Sequence, residues 1–166
     1  MCSSDLERLP LADFGNRVPQ LAFEVIRPIA GLGSLIRAVD LIPGATEYAY
    51  AVNASTQLRE AGVSTSENRH LLYAPSDMQA SLDALQALCP NLESVALVVA
   101  WFGDDLRAGS CTVTPRVERN DKVVQGAFWQ VAGYSRLTAR AVSQVDGGPA
   151  FGGTPPDDVV VAAIEE

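Results

Sequence analysis

Lysine and histidine are almost missing from this 166-residue sequence, in which Lys122 and His70 are the sole representatives of their types. One histidine leaves little room for a Ser-His-Asp or Cys-His catalytic arrangement. Cysteine is scarce as well: Cys2, Cys89 and Cys111 are odd in number and lack CxxC spacing, which argues against a disulfide framework and against a zinc site. Basic charge is in deficit, with 12 Lys and Arg against 20 Asp and Glu and a net charge of −8. Without a basic stripe to offset it, that balance opposes the counterion release that drives nucleic-acid binding. No apolar run approaches the ~20 residues that span a bilayer, so no membrane span is expected. The glycines Gly147 to Gly153 lack both the lysine of a phosphate loop and GxGxxG spacing, so no nucleotide cofactor is expected.

What remains is a chain that is 48% hydrophobic and 19% charged, the composition of a globular domain with a sizeable core. Ser94 to Gly109, SVALVVAWFGDDLRAG, is the stretch around which it is organised. Continuous Val/Leu/Ala runs mark strands buried on both faces of a parallel sheet, so Val95 to Phe102 reads as such a strand. Ligands gather at the carboxyl ends of parallel strands. This one ends in Trp101-Phe102 followed by Asp104-Asp105. Carboxylates there can supply a metal ligand, hold a sugar hydroxyl or include a general acid or base; the alternative is a Gly-Asp-Asp turn whose carboxylates cap backbone donors. Glycoside hydrolysis needs two carboxyl groups about 5 to 9 Å apart across the sugar. At most one of Asp104 and Asp105 therefore serves, with its partner elsewhere. Trp101 and Trp129 are candidate stacking platforms, against a default role in core packing.

The flanking segments read as follows. Leu21, Phe23 and Val25 alternate as in a strand, and Gly33-Ser34 opens a short helix with Leu35, Ile36, Val39 and Ile42 on one stripe. Glu47 to Leu72 is polar and weakly periodic, a linker or an irregular hairpin. Ser76-Asp77-Met78-Gln79 is a capping box, and Met78, Leu82, Leu85 and Cys89 follow at helical spacing. A reverse turn at Arg119-Asn120-Asp121-Lys122 is expected to join two extended segments as a hairpin, and Arg140 to Val145 adds a further strand. Thr154-Pro155-Pro156-Asp157 supplies an N-cap and first turn to a last helix. The fold class is therefore mixed α/β. Residues 1–8 read as non-native or disordered, and the chain as a fragment.

Three long stretches carry a family resemblance. LPLADFGNRVPQLAFEVIRP, at Leu9 to Pro28, resembles the end of a β-rich module in phage tail hub proteins. ENRHLLYAPSDMQASLDALQALCPNLESVALVVAWFGDDLRAG, at Glu67 to Gly109, is similar to the start of the TIM-barrel-like, glycoside-hydrolase-like module in the large tail hub protein of gene transfer agents and related phages. SQVDGGPAFGGTPPDDVV, at Ser143 to Val160, resembles the same module. The resemblance implies that residues 9–60 end a β-rich hub module with its linker and that residues 67–166 begin a barrel. Val95 to Phe102 would be its first strand and Asp158 to Glu166 the start of its first outer helix. It further implies a place in the tail of a phage-like particle made in a bacterial cytoplasm, with other tail and baseplate proteins and cell-envelope glycan as partners and a symmetric homo-oligomer as the assembly. It carries no catalytic residue over to this chain. The alternatives are an active glycan hydrolase with Asp104 or Asp105 in its site, and a free-standing small α/β binding domain.

Overall fold

Tyr50 ties the first two long-range strands together. Its hydroxyl lies 2.6 Å from the Leu41 carbonyl and 2.9 Å from that of Val98, at the ends of β1 (Ala38–Leu41) and β4 (Ser94–Leu97). These strands pair in parallel, Ala38 opposite Ser94 through Leu41 opposite Leu97. The computed structural model describes residues 31–44, 46–59 and 62–166. The expected strand through Leu21, Phe23 and Val25, the first resemblance stretch, Cys2 and residues 1–8 lie outside them.

Between the two parallel strands the chain forms a hairpin, β2 (Thr56–Leu58) with β3 (Ser64–Ser66), and a helix, α2 (Asp77–Leu88). The helix begins where the capping box places it: the Ser76 hydroxyl accepts from the Gln79 amide at 3.2 Å. Met78 is buried, Leu82 packs against the core, and Cys89 is the C-cap. The polar stretch before the helix is knotted by Asn68. Its side chain accepts from the Ser55 amide and hydroxyl and donates to the carbonyls of Ala51 and Asn53, which uses its full capacity in a buried setting.

After β4 come short strands in small sheets: β5 (Phe102–Gly103) with β6 (Val113–Thr114), β7 (Arg116–Val117) with β11 (Arg140–Ala141), β8 (Val123–Gln125) with β2, β9 (Gln130–Val131) with β10 (Tyr134–Ser135), and β12 (Gln144–Val145) with β13 (Gly148–Pro149). Asp146 and Gly147, both at positive φ, form the two-residue turn between the last pair. Helix α3 (Asp157–Glu165) closes the chain and buries Val159 and Ala163. The core gathers Tyr48, Tyr50, Met78, Val117, Trp129, Val131, Val159 and their neighbours. Residues 46–59 thus pack in the same core as residues 67–163. The architecture is mixed α/β, with no closed barrel among the described residues.

Four local expectations are corrected. Gly33 to Ile42 is not one helix: α1 covers only Leu32–Leu35, and Val39 lies in β1, because ladder bonds to β4 outweigh the propensity of a short apolar stripe. Val95 to Phe102 is not one strand buried on both faces: β4 ends at Leu97, β5 starts at Phe102, and Val98, Val99 and Trp101 are about 40% exposed. Among the described residues β4 has one partner strand, so continuous apolarity did not bring two-sided cover. The turn at Arg119 to Lys122 joins no hairpin, since β7 pairs with β11 and β8 with β2. Thr154 does not cap α3. It is fully buried, its hydroxyl spans Ala100 O and the Arg116 amide, and Pro156 takes the cap position.

Candidate functional site

Lys122 sits where three acidic side chains converge. Its Nζ is 2.6 Å from Glu67 Oε2, 2.6 Å from Glu118 Oε2 and 3.9 Å from Glu47 Oε1. All four side chains are at least nine-tenths buried. Glu47 and Glu118 also lock each other's main chain: the Glu47 amide donates to Glu118 Oε1 at 2.8 Å and the Glu118 amide to Glu47 Oε2 at 3.1 Å. Arg136 completes the group by donating to Glu47 Oε1 and to the Tyr48 hydroxyl. Its guanidinium also lies over the Tyr48 and Trp129 rings, and Lys122 lies over Tyr48.

Burial sets the titration of these groups. It pushes the Glu47 carboxyl above its ordinary value, although Arg136 and the Glu118 amide pull the other way. It pushes the Tyr48 hydroxyl up to about 12. The tyrosine therefore stays protonated through the physiological range. Among the described residues, no group of three or more His, Cys, Asp or Glu side chains is arranged to hold a metal ion. The Lys122 ammonium stands at the centre of the carboxylates, where a bound cation would otherwise sit.

The cluster forms part of the wall of a cavity of ≈ 640 Å³. Its lining includes Glu67, Glu118 and Lys122, the apolar Leu41, Tyr50 and Met78, and the pair His70 and Asp77. His70 Nδ1 is 2.6 Å from Asp77 Oδ2, and the His70 amide donates to Asp77 Oδ1 at 2.8 Å. This pairing orients the imidazole with Nδ1–H toward the carboxylate. Burial pushes the Asp77 carboxyl up, but the His70 hydrogen bonds and charge outweigh it and hold it below the ordinary value. A lowered carboxyl contributes stability that is present above its unfolded value of 3.8 and is lost as pH falls through the folded one. Asp77→Asn is therefore expected to flatten the acid limb of a urea-midpoint profile taken from pH 7 downward. A limb as steep as in the unaltered chain would remove His70–Asp77 from that account.

Gly153 lets the carboxylate pair close. A Cβ there would lie 2.7 Å from Glu47 Oε2, 2.8 Å from Arg116 O and 3.0 Å from the Glu118 amide nitrogen. Two of these neighbours are backbone atoms and cannot rotate away. Gly153→Ala is expected to cost about 1–3 kcal/mol in urea unfolding, because the segment at Gly153 must move away from Arg116–Glu118 and the Glu118–Glu47 hydrogen bond lengthens.

None of the candidate site residues Asp104, Asp105, Trp101 and Trp129 lines this cavity. Asp104 Oδ1 accepts from the Thr112 amide at 2.7 Å, and Asp105 accepts from the amide and guanidinium of Arg107 at 2.6–3.0 Å. Both carboxylates thus serve a surface turn, and the Arg107 contact holds Asp105 below the usual carboxylate range. Trp129 is 2% exposed, with its indole donating to Thr154 O at 2.9 Å. Trp101 is 44% exposed. The sequence offered one sign of the buried cluster, its solitary lysine. Nothing in local spacing linked that residue to Glu47, Glu67 and Arg136. The chain matches no protein-family model and no curated protein.

Proposed function

We propose that this chain belongs to the hub of a phage-like tail and plays a structural part in contact with the host envelope. Its TIM-barrel-like module would begin near residue 67, and other tail proteins and further copies of the chain would be its partners. The reading rests first on the long contiguous stretches Glu67 to Gly109 and Ser143 to Val160. One observation favours a structural part over glycan hydrolysis. The carboxylates at the strand end, Asp104 and Asp105, are engaged by a backbone amide and by Arg107, whereas Val98, Val99 and Trp101 just before them are exposed. Exposed apolar side chains beside a parallel strand pair suit assembly against further protein.

Mass spectrometry of particles purified from the producing bacterium tests this reading. Peptides of this chain should copurify with tail proteins, and a deletion should leave particles that no longer adsorb. Full adsorption without the chain would sink the proposal. Turnover of peptidoglycan or surface polysaccharide, lost in both Asp104→Asn and Asp105→Asn, would favour the hydrolase instead. The expected result is that neither substitution alters any such activity.

A further inference from the structure

The cluster around Lys122 sets three carboxylates against two cations. Glu67 and Glu118 each hold Lys122 Nζ at 2.6 Å, whereas Glu47 Oε1 stands 3.9 Å from it and relies on Arg136. Glu47 is nonetheless the most deeply placed of the three, with no exposed surface. Its charged and titratable neighbours come from every side of the cluster. Glu118 lies across the reciprocal main-chain lock, Glu67 lies beyond Lys122, and the Tyr48 hydroxyl accepts from Arg136 at 2.8 Å. Gly153, packed against Oε2, adds no side chain, and Arg119 is exposed and paired with Asp121. A carboxylate buried this deeply beside two others is the least costly place in the group to take up a proton.

A proton reaches Glu47 only where a donor yields. Oε2 accepts from the Glu118 amide at 3.1 Å, and a main-chain group cannot turn away. Oε1 accepts from Arg136, which has other acceptors: its Nη1 donates to Arg119 O at 2.9 Å and its Nη2 to the Tyr48 hydroxyl. We propose that Glu47 is a proton-operated catch, which takes up one proton at Oε1 in mildly acid solution and releases Arg136 while the Glu67–Lys122–Glu118 group stays in place. Neutralising the buried carboxylate offsets the loss of the Arg136 contact, because the desolvation of a charge can exceed its pairing energy. Burial pushes the Glu47 carboxyl above its ordinary value of 4.5, against the pull of Arg136. The tie between residues 46–50 and the turn at Arg136 is thus fastened at neutral pH and open in acid. The inference does not rest on the tail reading and survives its failure.

Proton NMR of the unaltered chain tests the catch directly, because each amide of the lock reports on the other residue's carboxylate. An amide bonded to a carboxylate resonates downfield and moves upfield when that carboxylate is protonated. The Glu118 amide should move upfield on acidification with a midpoint above 4.5, ahead of the Glu47 amide. The Arg136 guanidinium resonance, assigned by its absence in Arg136→Lys, should follow the same midpoint. Urea midpoints supply a further readout. A raised carboxyl contributes stability that is fully present below its unfolded value and is lost as pH rises through the folded one. The urea midpoint of the unaltered chain should therefore rise from about pH 8 to about pH 5, and Glu47→Gln should remove that rise. The Asp77 effect falls below 3.8 and does not overlap with it. A Glu118 amide that stays in place down to pH 4.5, or moves no sooner than the Glu47 amide, would overturn the proposal. So would an unmoved Arg136 resonance, or a rise of the same size in a folded Glu47→Gln chain. Should that variant not fold, the two resonances of the unaltered chain decide.

Discussion

Lys122→Met is expected to be the most damaging single substitution in this chain. It removes the one cation that faces both Glu67 and Glu118 at 2.6 Å, inside a group whose side chains are almost wholly shielded from water. Removing one partner of a buried ion pair strands the other, at a cost of about 3–5 kcal/mol. Two carboxylates are stranded here, and domains have only about 5–15 kcal/mol to lose. The expected result is a urea midpoint lowered by a large part of its range, or a chain that no longer unfolds cooperatively. Adding Glu118→Gln to Lys122→Met should recover part of the loss, because one uncompensated charge disappears with it. The deficit of the single variant should also shrink on acidification, since a protonated carboxyl no longer needs its cation. An unchanged midpoint in Lys122→Met would mean that water reaches the cluster and that the ion pairs contribute little.

Trp129→Ala carries the second largest expected effect. The ring is 2% exposed in the midst of Tyr48, Val117, Val131 and Val159, so its loss opens a cavity that the surrounding short strands cannot close. Truncations of buried aromatic residues cost about 3–5 kcal/mol. Trp129→Phe separates packing from hydrogen bonding. It keeps most of the ring but leaves Thr154 O without its indole donor, at about 1–3 kcal/mol. It also weakens the aromatic surface on which the Arg136 guanidinium lies, and with it the placement of Arg136 on Glu47. Fluorescence offers an independent check, because the chain has two tryptophans. The remaining Trp101 is 44% exposed, so the emission of a folded Trp129→Phe chain should move to the red. Emission that stays blue would show Trp101 to be covered, as by self-association.

Local chemistry made part of this molecule legible in advance. Ser76 and the Met78-Leu82-Cys89 spacing placed α2, since a cap and a helical stripe are decided within a few residues of each other. The Gly-Asp-Asp turn was one of the two readings open at the end of the long apolar run, and the amides of Thr112 and Arg107 fill it. The stripe from Gly33 to Ile42 misled for a physical reason. Apolar spacing over ten residues fits either a short helix or a strand, and only the partner β4 decides between them. The same partner decides exposure: an apolar run records what a segment tolerates, whereas the number of neighbours it meets determines how much of it is buried.

The sequence by itself determined an acidic, mixed α/β chain with a capped helix after residue 76 and a single lysine of no evident purpose. Tertiary structure alone decided that this lysine stands among Glu47, Glu67 and Glu118, that Trp129 is walled into the core, and that the Ala38–Leu41 segment is a strand. The reason is the range over which each choice is made. Caps and turns are settled by hydrogen bonds to near neighbours, and the residue types advertise them. The charged cluster joins side chains up to 89 positions apart, as Glu47 and Arg136 are. Its stability depends on the exclusion of water, which no short stretch of chain can accomplish alone.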